Sequence, residues 1–212
     1  MYGGQCMQPY LLSVMELQRT LIDAGVRHDF LFTSGESLIT RARNTSAATF
    51  LQTDYDWLFF IDSDIQFTPD DVAALYNADA GHVKGAAYPW KQADISNTTA
   101  WKDGELVDIG KLSGPTEVDY LGTGFLMIHR RAFEQIREAW PELHHTEGKV
   151  GDCWSFFDTE IRDGVYLSED YLFCQRWRDL GEKVMLIPEI RLRHWGLAGY
   201  GVPAGDLHRV QV

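Results

Sequence analysis

Asp62 and Asp64 stand one residue apart at the end of an apolar run, Trp57-Leu-Phe-Phe-Ile61. Two carboxylates this close repel each other unless something positive lies between them. Together they offer hard oxygen ligands of the kind that suit Mg²⁺ or Mn²⁺, ions that keep water ligands and recruit phosphate oxygens. The chemistry suggested is a cation held against a diphosphate, with Ser63 between its two ligands. The plainer alternative is a solvated acidic turn after a strand.

Other side chains bear on the same chemistry. His194, followed by Trp195 and Gly196, could supply a neutral imidazole as a third ligand. An isolated histidine is more often packed or exposed, and six others compete, with His144-His145 the main rival pair. Glu169 and Asp170 open a helix. The helix dipole favours acids there, and a carboxylate fixed on a helix start is also placed to deprotonate a hydroxyl nucleophile. Gly122-Thr123-Gly124-Phe125 interrupts an apolar stretch, either as a bulge or as a close backbone approach to a ligand. Arg41 and Arg43 could reach a phosphate or a base. Two residues apart on a helix they share no face, so at most one points into a site. Lys84 and Lys91 are similar candidates, and Trp90, after Pro89, would form a wall.

These groups must be held by an alternation of strands and helices. Apolar spacing predicts helices over Pro9–Ala24, stopped by Gly25, and over Ser37–Leu51. Thr68 as N-cap and Pro69 at the first helical position begin another, running to about Asn77. Arg131–Trp140 and a segment from Ser168 to Leu180 complete the helices. Strands are expected at His28–Phe32, at Asp56–Ile61 as the central strand, at His82–Tyr88 and at Lys183–Ile187, with an interrupted one over Val118–His129. Residues 91–116 read as a small excursion with a hairpin at Trp101–Leu106, and residues 141–166 as irregular with Phe156-Phe157 packed. The alternation indicates an α/β domain with a mostly parallel sheet, and ligands of such sheets bind at the strands' carboxyl ends.

Composition sets limits. The chain has 212 residues, 45% of them hydrophobic, enough for one domain with a sizeable core. A net charge of 19 − 31 = −12 argues against a broad nucleic-acid surface. An anionic ligand must then be held locally. No apolar run has the length of a membrane span, and no signal-peptide pattern is present. Three widely spaced cysteines form neither a zinc pattern nor a disulfide framework. That favours a reducing compartment, and a cytoplasmic location is expected.

The ordered set Ser37-Leu-Ile-Thr-Arg-Ala-Arg-Asn44, Phe60-Ile-Asp-Ser-Asp-Ile65, Gly85-Ala-Ala-Tyr-Pro89, Asp119-Tyr-Leu-Gly-Thr-Gly-Phe125, Phe156-Phe-Asp-Thr159 and Leu167-Ser-Glu-Asp-Tyr171 resembles glycosyltransferases of the GT-A fold. The nearest likeness is to small enzymes encoded by viruses, phages and bacteria, and it spans nearly the whole chain. It implies a Rossmann-like, mostly parallel central sheet flanked by helices, in a single domain. It also implies transfer of a sugar from a nucleotide-diphosphate donor, a UDP- or GDP-sugar, to an acceptor hydroxyl of a glycan. Asp62 and Asp64 would hold Mn²⁺ or Mg²⁺ on the diphosphate, with Asp64 the main direct ligand and His194 the late one. Glu169 and Asp170 match the acidic pair facing the reacting carbon. Gly122, Thr123, Gly124 and Phe125 would line the sugar or acceptor pocket, and Lys84, Tyr88 and Trp90 would also touch substrate. Arg41, Ser63, Tyr2 and Gly3 would lie on the nucleotide side. In that fold a first strand leads into the nucleotide-contacting loop. Here the sequence opens at that loop, Met1-Tyr-Gly-Gly4, so the first strand is expected to be missing, trimmed or replaced.

Two other readings stand beside this one. A haloacid-dehalogenase-type phosphatase also places Asp-x-Asp after an apolar strand. It wants Thr or Val two residues after the second Asp, where this chain has Gln66. A non-catalytic nucleotide-sugar or glycan-binding module would bind donor and metal without turnover. If transfer inverts the anomeric carbon, Asp170 or Glu169 is the base. If it retains, the leaving phosphate takes the proton and the carboxylates position the sugar.

Overall fold

The computed structural model describes residues 4–91, 98–148, 150–196 and 199–201. In chain order the elements are α1 (Gln8–Asp23), α2 (Ile39–Leu51), β1 (Trp57–Ile61), β2 (Ile65–Gln66), α3 (Pro69–Asn77), β3 (Val83–Gly85), β4 (Ala100–Lys102) and β5 (Glu105–Leu106). There follow β6 (Thr116–Val118), β7 (Tyr120–Leu121), β8 (Phe125–His129), α4 (Arg130–Ala139), β9 (His144–Glu147), β10 (Gly151–Trp154), β11 (Glu160–Arg162) and β12 (Val165–Leu167). The last elements are α5 (Glu169–Asp179), β13 (Val184–Leu186), β14 (Arg193–Trp195) and β15 (Gly199–Gly201).

Five strands form the main sheet in the order β1-β8-β3-β13-β6. β8 runs antiparallel to both β1 and β3, β3 and β13 are parallel, and β13 and β6 are antiparallel. The fold is α/β, but the expected mostly parallel sheet is corrected to a mostly antiparallel one. Apolar periodicity marks a strand without giving its direction. β1, expected at the centre, is an edge strand here, and His28–Phe32 forms no strand among the described residues. The stretch expected to be irregular contains two hairpins, β9–β10 and β11–β12. The predicted hairpin at Trp101–Leu106 is present as β4–β5.

The sheet is apolar on both faces, because alternate residues of each strand point to opposite sides. Leu58 and Phe60 pack with α2, α4 and α5 residues such as Ala47, Phe133 and Trp177. Trp57, Phe59 and Ile61 pack with α1 and α3 residues such as Val14, Leu17 and Leu75. A run of five apolar residues is therefore what a strand between two helical layers requires.

Local signals fix the helices. Thr68 and Asp71 form a reciprocal capping box at the start of α3. Gly25, with φ +65°, follows the C-terminal end of α1, a conformation that favours glycine. One layer is locked to the site region by Asn44, whose amide donates to the Phe157 carbonyl at 2.9 Å and accepts from its N–H at 2.8 Å.

Candidate functional site

The end of β1, the turn after β3, the start of antiparallel β8 and the N-terminus of α5 meet at one edge of the sheet. β8 runs opposite to β1, so Ile61 lies across from Phe125, and the Gly122–Gly124 segment faces Asp62. The Asp62 N–H donates to the Gly124 carbonyl at 2.9 Å. Tyr88 is buried between them, and its hydroxyl accepts from the Gly124 N–H at 3.0 Å. A Cβ on Gly122 would lie 2.6 Å from the Tyr88 hydroxyl. One on Gly124 would lie 2.6 Å from the same hydroxyl and 2.8 Å from Asp62 Oδ2. The glycines are thus required by close approach.

Asp64 faces a different set. Its Oδ2 is in contact with Lys91 Nζ, and its Oδ1 lies 3.5 Å from His194 Nε2. β14 carries His194 here by pairing with β2, immediately after the Asp-x-Asp turn. His194 Nδ1 lies 2.9 Å from the Pro89 carbonyl, which can only accept, so Nδ1 carries the proton. In the neutral ring Nε2 is then a lone pair aimed at a carboxylate, a repulsive arrangement unless a cation or proton joins them. A carbonyl holding the far nitrogen is how metal-binding histidines are oriented. Burial pushes the Asp64 pKa up, but His194 and Lys91 outweigh it and leave the carboxyl below its usual range.

Asp62 belongs to a third arrangement. Arg43 Nη2 lies 3.8 Å from Asp62 Oδ1 and 3.5 Å from Glu169 Oε1, both looser than hydrogen bonds. The Arg43 side chain is only 9% exposed, and its Nε and Nη1 have no partner among the described residues. The Thr123 hydroxyl, fully buried, is likewise unpartnered among them. Burial opposes the Arg43 charge, but Asp62, Glu169 and Asp170 outweigh it. Burial raises the Asp62 pKa, and Arg43 only partly offsets this. Some 40% of the Asp62 side chain still meets solvent. Glu169, 14% exposed, is raised by burial and then by Asp170. Asp170 Oδ1 accepts from Ser168 Oγ at 2.5 Å and from the Tyr171 N–H at 2.9 Å.

A divalent cation fits this donor set in part. Among the described residues no three His, Cys, Asp or Glu side chains already converge on one point. Asp64 and His194 do face each other, and Asp62 sits on the same turn. Two or three protein ligands suit a hard ion that keeps water and takes phosphate oxygens.

Asp62, Ser63, Asp64, Tyr88, Gly122, Thr123, Gly124, Glu169, Asp170 and His194 are brought to this edge, with Trp90 half-buried between Pro89 and Lys91. Three expected site residues lie elsewhere. Arg41 pairs with Glu36 at 2.6 Å and lines a separate cleft of about 140 Å³ with His145 and Glu147. Lys84 is buried, donating to the Tyr76 and Ala78 carbonyls and lying over Trp57 at the far end of β1. Phe125 is core, packed edge-on against Phe59. Of the rival pair, His144 bonds Asp152 on the β9–β10 hairpin and His145 lines the cleft with Arg41. Tyr2 and Gly3 lie outside the described residues.

Arg43 and Lys91, rather than Arg41 and Lys84, are the cations beside Asp62 and Asp64. A signal for Arg43 was present: with Ala47 and Phe50 it forms an i, i+4, i+7 stripe on the buried face of α2. Lys91 lies past the end of β3, on the edge that carries Asp62, whereas Lys84 lies within the strand.

No protein-family model and no curated protein matches the chain. Among solved structures, the crystal structure of A197 from STIV is similar over 99% of this chain and 94% of that one, with a TM-score of 0.58 and 16% identity. At that identity the likeness concerns the fold. Among the described residues no helix is long and apolar enough to cross a membrane.

Proposed function

We propose that the protein is a metal-dependent glycosyltransferase, moving a sugar from a UDP- or GDP-sugar to an acceptor hydroxyl of a glycan. The observation that carries the reading is the His194–Asp64 pair, whose Nε2 and Oδ1 face each other at 3.5 Å beside a second aspartate. Asp64 and His194, with Asp62, would hold Mn²⁺ or Mg²⁺. Bound there, the ion would supply Lewis-acid neutralisation of charge on the leaving diphosphate.

The remaining residues suit a neutral, hydroxyl-rich ring. Arg43 offers unpaired donors, and Asp62 and Glu169 offer acceptors within 3.8 Å of it. A hydroxyl both donates and accepts, so it satisfies such a mixed set. A phosphate, which only accepts, would face three carboxylates. Glu169, tied to Arg43, would orient the sugar. Asp170 keeps Oδ2 outside its bonds to Ser168 and Tyr171 and would take the acceptor's proton in an inverting transfer.

The test is turnover with a panel of UDP- and GDP-hexoses, Mn²⁺ and glycan acceptors, followed as nucleoside diphosphate release. Asp170→Asn is expected to keep donor binding and lose at least about 100-fold in kcat. Normal turnover by this variant would remove Asp170 from the chemistry. Donor binding without turnover by the wild type with any acceptor would favour the binding-module reading.

A further inference from the structure

Lys91 is the feature of the site that the reading above leaves unused. Its ammonium is in contact with Asp64 Oδ2, on the carboxylate whose other oxygen faces His194. It is the positive group that a pair of neighbouring aspartates needs. It also stands on the carboxylate assigned to the ion, and two cations on one small carboxylate repel each other. Lys91 is 38% exposed on a flexible four-carbon stem. It can therefore leave without disturbing the core. Arg43 cannot take its place, because it is buried against Asp62 and Glu169.

We infer that Lys91 is a tethered cation that occupies Asp64 in the absence of metal and is handed to the donor's diphosphate when the divalent ion takes Asp64. The inference rests on the metal reading of the site. It gives Lys91 two opposite effects. Lys91 weakens the binding of the ion alone, because it must be displaced. It strengthens the binding of the nucleotide to the metal-loaded protein, because the displaced ammonium has no carboxylate left and finds phosphate oxygens. Metal and nucleotide binding are then coupled through one side chain, and each favours the other. Lys91 is a positioning residue for the diphosphate.

The experiment is calorimetric titration of wild type and Lys91→Met, first with MnCl₂ alone and then with UDP and GDP at saturating Mn²⁺. Lys91→Met is expected to bind Mn²⁺ about two- to fivefold more tightly and the nucleotide about two- to fivefold more weakly, the upper part of the range for a partly exposed ion pair. Lys91→Arg, which keeps the charge, is expected to stay close to wild type in the first titration. A general loss of structure would move both affinities the same way and show as a lower Tm. Unchanged or weaker Mn²⁺ binding by Lys91→Met would overturn the inference, as would unchanged nucleotide affinity. If Mn²⁺ binds neither protein, the metal reading itself fails and the inference falls with it. Mn²⁺ binding that is equal in both proteins leaves that reading standing and sinks only the role of Lys91.

Discussion

Glu169 shows how the site opposes the fold. Burial and Asp170 raise its folded pKa above the unfolded value of 4.5. Its contribution to stability is therefore fully present below that value and is lost as pH rises through the folded pKa. Glu169→Gln removes the ionisation. The variant is expected to gain Tm relative to wild type at pH 8 and to lose that gain below pH 4.5, while donor affinity falls. Thermal melts across pH check this, and a variant less stable than wild type at pH 8 would contradict it. Asp64 has the opposite sign. Its pKa is lowered, so its contribution is present above the unfolded value and is lost as pH falls through the folded one. At this scale the sequence disclosed residue types well. Asp62, Asp64, His194 and Glu169 were legible from type and order. Arg41 was read in place of Arg43 because residues two apart on a helix differ in direction, and Lys84 in place of Lys91 because type does not record which of them lies within the strand and which beyond its end.

Elements convert those residues into a site through close approach. The Gly122–Gly124 segment passes so near the Tyr88 hydroxyl that an added methyl must displace it. Gly122→Ala is expected to cost about 1–3 kcal/mol, as overpacking usually does, and to weaken donor binding. Removing the hydroxyl in Tyr88→Phe leaves the ring carbon 3.1 Å from the new methyl. The double variant should therefore recover part of the lost stability, a coupling read from a double-mutant cycle of urea melts. Strict additivity would show that the contact is not what excludes a side chain at residue 122. The glycines were visible in sequence as an interruption. Their partner was not, because Tyr88 lies 34 residues before Gly122 and meets it through the antiparallel pairing of β3 with β8 and through Thr99, which bonds both backbones. Helix starts such as the Thr68–Asp71 box were legible because their signal is local.

Over the whole molecule, an edge of the sheet collects carboxylates on a chain of net charge −12. Most buried charges are paired, whereas Arg43 has orphan donors and Asp62 is raised in pKa. A ligand that satisfies these groups should stabilise the folded protein. With Mn²⁺ and UDP or GDP at about 100 times Kd, mass action adds about 2.7 kcal/mol, or roughly 5–11 °C in Tm for a chain this long. Scanning fluorimetry with each component alone and together checks this, and no shift with the pair would contradict it. The α/β class was legible from the alternation of strands and helices, and the five apolar residues of β1 serve both layers. Strand order and direction were not. They depend on which distant segments pair, and β8, running against both neighbours, carries no mark of that in its own residues.

The central claim is that Asp64 holds a divalent ion that binds the donor's diphosphate. Calorimetric titration with a panel of nucleoside diphosphates and nucleotide sugars, in Mn²⁺ and again in EDTA, tests it most directly, with Asp64→Ala alongside wild type. The account predicts that one base is bound in Mn²⁺, at least tenfold more weakly in EDTA, and not measurably by Asp64→Ala. Equal binding in Mn²⁺ and EDTA, or unimpaired binding by Asp64→Ala, would contradict it.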